Sequence, residues 1–329
     1  MRRYIIYISV LFFLVGSTHL PSYAIVQDEA DNSFYAVAGM EENIDKVNSL
    51  LGLSQYYRDI DKDSALMCCD MALELSKRLE YFEGIAGSYY KKSLIYKNSG
   101  NYIAARECAN KTLGIAEALQ DSMLLAKTNY HLGNIIKNLS NNKPALNHYS
   151  KALSIYINKK DTLRLTAVYN GFGNYFLERG IYNFAATYYH KALQFAKVVD
   201  QEQSQGKILN NLGTVYFELG EYDHSRKYLD ASSEIAWKYS DNGEKANILT
   251  RLGNLELNLK NFTKAYENYY LADSLFRIDD EAEGIHNTYI NFGFLFLEQG
   301  KPKKALKNFD IALAYYNEQD LAKGKTAAW

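Results

Sequence analysis

A forty-residue period governs this chain. Gly133, Gly173, Gly213, Gly253 and Gly293 stand forty residues apart, each preceded by a large apolar residue: Leu132, Phe172, Leu212, Leu252 and Phe292. Seven residues on, a second column holds Gly100, Gly180, Gly220 and Gly300. Small residues recur five further on, at Ala65, Ala105, Ala145, Ala185, Ser225, Ala265 and Ala305. Larger ones follow at Tyr149, Tyr189, Leu229, Tyr269 and Phe309, then small ones again at Ala72, Thr112, Ala152, Ala192, Ser232, Ala272 and Ala312. Copies held in one register without an insertion restrict the chain to an array in which each copy packs mainly on its neighbours.

Within a copy the apolar spacing is helical. Ile208, Leu212, Val215 and Leu219 line one face of a first helix, and Tyr222, Ser225, Leu229 and Ser232 line a second. Gly220 lies between them, where a glycine accepts the left-handed backbone that closes a helix. Acids stand before the next helices, at Asp121, Asp161, Asp200, Asp241 and Asp279, and each is expected to accept a first-turn N–H. The expected fold is all-α: a right-handed superhelical α-solenoid of about seven helix-turn-helix hairpins, centred on Leu53, Ser93, Gly133, Gly173, Gly213, Gly253 and Gly293. The array is expected over 42–329, with a linker over 25–41 and a truncated eighth repeat over 320–329 that ends at Trp329 inside a first helix.

The pattern running from Leu212-Gly213 to Ser232, and from Phe292-Gly293 to Ala312, resembles the tetratricopeptide repeat. The common form of that repeat is about 34 residues long and carries a proline after its second helix. The forty-residue period and the missing proline are similar to the extended repeats of kinesin light chains, spindle-orientation adaptors and bacterial peptide-sensing regulators. The resemblance implies a non-enzymatic scaffold that takes a peptide or protein segment on its concave face. The early end of the pattern suggests an alternative: the periplasmic sensor portion of a membrane-spanning regulator, with further repeats or domains beyond Trp329, or an exposed last repeat that forms oligomers.

Residues 1–24 read as a secretory signal peptide. Arg2 and Arg3 precede an apolar run from Tyr4 to Val15, and Ser22-Tyr23-Ala24 is a small-x-small cleavage site. The run is shorter than the roughly 20 residues a membrane span needs. The expected location is therefore the bacterial periplasm, with cleavage after Ala24.

Composition removes several function classes. A net charge of −1 lacks the footprint of a nucleic-acid binder, and three cysteines build no disulfide framework. Cys68, Cys69 and Cys108 read as small packing residues. His131, His148, His190, His224 and His286 fall in five different repeats without metal-ligand spacing, and read as scattered surface residues. No nucleophile is set against a base in a recurrent way, so no catalytic residue, metal or cofactor is expected.

What does recur is an asparagine-rich stripe on the first helix, opposite the apolar columns. Asn134, Asn174 and Asn254 share one position; Asn170 and Asn210 lie four before it; Asn211, Arg251 and Asn291 lie three before it, with His131. Lys127, Lys207, Asn247 and Asn287 lie seven before it, and Tyr130 joins the same face. An amide both donates and accepts, so it suits a peptide unit of any sequence. Asparagine also costs several tenths of a kcal/mol in a helix, which a purely solvated face has no reason to forgo repeatedly. These fourteen residues are the candidate ligand site. The lysines and Arg251 are spread over three repeats, which does not match the clustered basic clamp of chaperone-binding relatives. Asn174→Ala with Asn210→Ala is expected to remove binding and leave helicity intact.

Overall fold

The computed structural model describes residues 34–139 and 143–327. Fourteen helices follow one another from Ile44. The first arms of the hairpins are α1 (Ile44–Tyr57), α3 (Phe82–Asn98), α5 (Ser122–Lys137), α7 (Thr162–Leu177), α9 (Glu202–Glu218), α11 (Asn242–Asn258) and α13 (Ala282–Glu298). The second arms are α2 (Lys62–Arg78), α4 (Tyr102–Ala118), α6 (Lys143–Asn158), α8 (Tyr182–Val198), α10 (Tyr222–Tyr239), α12 (Phe262–Ile278) and α14 (Pro302–Ala327). No strand occurs among the described residues, and none of their helices is long and apolar enough to cross a membrane. The expected signal peptide and Trp329 lie outside the described residues.

The helices belong to two compact units that divide after Leu124. In each, the two arms of a hairpin pack together and first arms touch first arms: α1 with α3 in one unit, and α7, α9, α11 and α13 in succession in the other. This is the stacked-hairpin arrangement of a repeat solenoid.

Both glycine columns have a physical reason. Gly100, Gly180, Gly220 and Gly300 hold φ between 68° and 76°, the left-handed region that closes a first arm. Lys260 fills the same position at φ 60°. The other column clears space: a Cβ at Gly133, Gly173 or Gly253 would lie 2.4–2.5 Å from the ring of Tyr149, Tyr189 or Tyr269 in the facing second arm. Those three tyrosines are wholly buried.

Three expectations need correction. Asp121, Asp161 and Asp241 do accept first-turn N–H groups, from Leu124, Arg164 and Glu244. Asp200 instead adopts φ 52°, and Asp279 is the C-cap of α12, followed by Asp280 at φ 52°. These junctions close by bonds such as Gln201 N to Ala196 O and Glu281 N to Phe276 O, which need a left-handed residue one position earlier, and Asp tolerates that conformation.

The linker is the second correction, because residues 34–38 are helical and Phe34 and Val37 pack on the clusters around Leu53 and Val47. Lys46 Nζ fastens the segment by donating to Ala38 O and Met40 O at 2.8 and 2.9 Å. It covers apolar surface of the first hairpin that would otherwise face water.

The third concerns 320–329. Asp320 occupies the position of Asp280 and Asp200, but α14 runs helically through it to Ala327. A left-handed turn costs roughly 1 kcal/mol for a non-glycine residue, and here helical hydrogen bonding continues in its place.

Candidate functional site

The expected stripe lies on the first arms, and the structure divides it into three parts. The first part is internal. Tyr149 Oη donates to Asn134 Oδ1 at 2.8 Å, Tyr189 Oη to Asn174 Oδ1 at 2.6 Å, and Tyr269 Oη to Asn254 Oδ1 at 2.7 Å. Each bond ties the two arms of one hairpin. Burial pushes all three hydroxyls far above the usual tyrosine range, so they remain donors. These asparagines serve the fold through their carbonyls, and Asn174→Ala would leave a buried hydroxyl without its acceptor. The expected double substitution therefore does not separate binding from stability.

The signal for this was in the repeat itself. Where the second arm carries Leu229 the first arm carries Thr214, and Phe309 faces Phe294. Ser54 bonds Cys69, and Leu94 goes with Ala109. Fifteen residues apart, an asparagine in the first arm goes with a tyrosine in the second, and where the tyrosine is missing the asparagine is missing too. Cys68 and Cys69 are buried, free and pushed up to about 11 by burial, in keeping with packing thiols.

The second part joins successive first arms. Asn211 Nδ2 lies 3.3 Å from both Asn170 Oδ1 and Asn174 Oδ1, across the junction of α7 and α9. At the same position one repeat later, Arg251 Nη1 donates to Thr214 Oγ1 at 2.6 Å. Two polar atoms of this junction are buried without a hydrogen bond, Arg251 Nε and Asn210 Oδ1. Burial also holds the guanidinium below the ordinary arginine range. Thr214 was not among the expected residues, since it broke the asparagine column.

The third part is open. Lys127, Lys207, Asn247 and Asn287 are exposed, and Tyr130, Asn170 and Asn291 are half-buried. Tyr130, Arg164, Asn170, Ser204 and Lys207 line a cavity of about 360 Å³ between α5, α7 and α9. Asn247, Thr250, Glu283, Asn287 and Asn291 line another of about 490 Å³ between α11 and α13. Burial, and secondarily Arg164, lowers the Lys127 ammonium from its usual range. Asn287 accepts from Tyr316 Oη at 2.7 Å.

His131 departs from both readings made of it. Only 4% exposed, it is neither a surface residue nor open to a ligand. It shares the column of Asn211 and Arg251, whose side chains likewise turn into the wall and not to solvent. Among the described residues, no three His, Cys, Asp or Glu side chains stand together as a metal-ligand set.

Comparison with known proteins agrees with this architecture. Residues 86–119 and 207–236 each match a model of the tetratricopeptide repeat. Among solved structures, this chain is similar to the apo quorum sensor NprR from B. thuringiensis, with a TM-score of 0.69 and 15% identity over 89% of this chain and 82% of that one. A Rap protein complexed with competence and sporulation factor gives 0.65 and 17% over 91% and 87%. PH0952 of Pyrococcus horikoshii, a signal-transduction ATPase with a tetratricopeptide repeat sensor, gives 0.68 and 17% over 92% of this chain but only 46% of its own. This chain thus spans less than half the length of that protein. At such identities the likeness is one of fold. No curated protein is similar to it in sequence.

Proposed function

Because the chain is a tetratricopeptide-repeat protein, we propose that it is an exported, non-enzymatic scaffold that binds an extended peptide or protein segment along the first arms of residues 125–327. One observation carries the reading: both cavities open between successive first arms on the stripe of Lys207, Asn247 and Asn287, lined by Leu163 and Ile208 in one, by Phe276, Glu281 and Glu283 in the other, and by amides and hydroxyls in both. Such groups suit a peptide backbone, whose N–H and C=O recur along the strand. The quorum sensor NprR and the Rap protein bound to its factor lend the reading support through their shared fold. Export rests on the charged, apolar and small-x-small order of residues 1–24. A second reading, the sensing portion of a larger regulator, is favoured by PH0952, where a similar array forms under half of the chain.

The test uses exposed residues that the fold does not need. A random-sequence peptide library displayed on phage is selected on the chain and on Lys207→Ala with Asn247→Ala. Peptides enriched on the parent should bind the variant at least about tenfold more weakly, roughly 1.4 kcal/mol, at an unchanged melting temperature. Equal binding, or enrichment of nothing, would sink the reading. Amino-terminal sequencing of chain recovered from a cell-envelope fraction should begin at Ile25; an intact Met1 in the cytosol would refute export.

A further inference from the structure

The last hairpin of the described residues shows a face that earlier hairpins cover. Leu313 of α14 is 57% exposed, whereas Leu73 and Leu193, at the same position of α2 and α8, are 6% and 7% exposed. What covers such a residue is the next first arm: Leu193 shares a core cluster with Ile208 and Leu212 of α9. The sequence holds the start of that arm for α14 as well. Asp320 stands forty residues after Asp280, Gly324 forty after Gly284, and Trp329 forty after Tyr289. In the earlier copies this glycine admits the second arm before it. A Cβ would lie 2.4 Å from the Phe276 ring at Gly284, and 2.3 Å from Ser76 Oγ at Gly84. Tyr316 occupies the position of Phe276, so it is the counterpart of Gly324. Yet α14 runs straight through Asp320 to Ala327, and eight residues, about 12 Å of helix, part Gly324 from its own Tyr316. A glycine inside a helix is also unfavourable, so Gly324 does nothing for α14 itself.

We propose that a second copy of this chain supplies the missing arm: two α14 helices cross antiparallel about a two-fold axis at residue 320, and 320–329 of each copy covers Leu313 and Tyr316 of the other. The register of the repeat already contains this pairing. In a closed hairpin, residues of the second arm and of the next first arm lie level in pairs, 76 with 84 and 276 with 284. For α14 the level pairs are 316 with 324 and 313 with 327, symmetric about position 320. Two straight helices set antiparallel about that position reproduce the same pairs between copies. Gly324 of each copy then receives the Tyr316 ring of the other, and the two contacts arise together, as an isologous interface requires. The exchange is a domain swap whose hinge is the turn residue. Glu80, Gln120, Lys160, Asp200 and Asp280 take left-handed φ of 52–55° and close their hairpins, while the chain stays helical through Asp320. Each copy avoids the strain of that turn, and the burial of Leu313 and the Tyr316 ring drives the copies together.

Sedimentation velocity on the full chain tests the exchange. The chain should show a monomer–dimer equilibrium with a Kd of roughly 1–100 μM, as two short helical segments allow. Gly324→Leu puts a side chain where the Tyr316 ring of the second copy belongs, and should raise the Kd at least about tenfold. Leucine forms helix better than glycine, so the variant should keep its helicity and melting temperature as a monomer. Leu313→Glu, on the exposed face, should weaken the dimer to a similar extent. Asp320→Gly eases the left-handed turn and lets the segment close on its own chain, so it should weaken the dimer severalfold, whereas Asp320→Ala should not. Association through apolar surface alone would instead be strengthened by Gly324→Leu, and that result would overturn the proposal. So would a chain that stays monomeric at about 200 μM, twice the upper end of that range, or a dimer indifferent to Gly324→Leu and to Asp320→Gly.

Discussion

The junction of α7 with α9 and that of α9 with α11 occupy the same positions of the repeat and end in different states. At the first, Asn211 reaches back to Asn170 and to Asn174, whose carbonyl already holds the Tyr189 hydroxyl, so these groups close on one another. At the second, Arg251 reaches back by the same 37 residues to Thr214. Leu229 offers no hydroxyl there, and Arg251 Nε and Asn210 Oδ1 are left over. A tyrosine replaced by leucine in the second arm thus frees the first-arm position from its duty inside the hairpin. What the hairpin does not use becomes available to the next repeat. The wall is graded from closed to open by small exchanges on an unchanged backbone.

The largest expected effect lies beneath the two junctions. A Cβ at Gly173 would lie 2.4 Å from the Tyr189 ring, which is buried and tethered by its hydroxyl. At Gly213 it would meet Leu229 Cδ2 at 2.6 Å, on a side chain that can turn. Gly173→Ala should cost about 3 kcal/mol, net of the better helix propensity of alanine, and Gly213→Ala about half as much by urea unfolding. Equal losses would mean that tyrosine and leucine are held alike, and the comparison would break. Next comes a transplant of one junction into the other. Leu229→Tyr alone overpacks and buries an unbonded hydroxyl, for about 2 kcal/mol. Adding Thr214→Asn supplies the acceptor, and a double-mutant cycle of unfolding free energies should return a coupling of about 1 kcal/mol. No coupling would show that the tyrosine–asparagine bond is incidental.

Much of this was open to a reader of the sequence, and the limits are physical. Period, hairpins and both glycine columns are legible because packing forces the same residue types into the same register. The pairing of Asn134 with Tyr149, and of Phe294 with Phe309, was equally legible once copies were aligned fifteen residues apart. The stripe hid it by looking like a solvent face. In a stacked array the first arm has neighbours on three sides, and a polar column can face one of them. Other features were beyond pattern. Residues 34–38 are too few for a periodicity, and whether an Asp caps a helix or turns left-handed, as at Asp241 and Asp200, depends on dihedrals. Where Arg251 ends its reach depends on side-chain torsions that no spacing encodes.

A smaller effect isolates the hydroxyl. Tyr189→Phe keeps the ring against Gly173 and removes only the donor to Asn174, whose carbonyl retains Asn211. The loss should be about 1 kcal/mol by thermal unfolding, since the acceptor is not orphaned. A loss as large as that of Gly173→Ala would place the energy of the hairpin in the bond and not in the packing.

The finest contrast is between two asparagines forty residues apart. Asn170 Oδ1 accepts from Asn211, which keeps Asn174 Oδ1 as its other acceptor, so Asn170→Leu removes one bond across the junction and should cost about 0.5–1 kcal/mol. Asn210 Oδ1 accepts from nothing. Asn210→Leu removes an unsatisfied acceptor and adds apolar surface, so it should be neutral or stabilise by up to about 1 kcal/mol. The two signs, read from melting temperatures of the single variants, measure directly whether one junction is finished and the other is not. A destabilising Asn210→Leu would mean that the fold already uses this amide through its Nδ2. The unfilled capacity of the α9–α11 junction would then reduce to Arg251 alone.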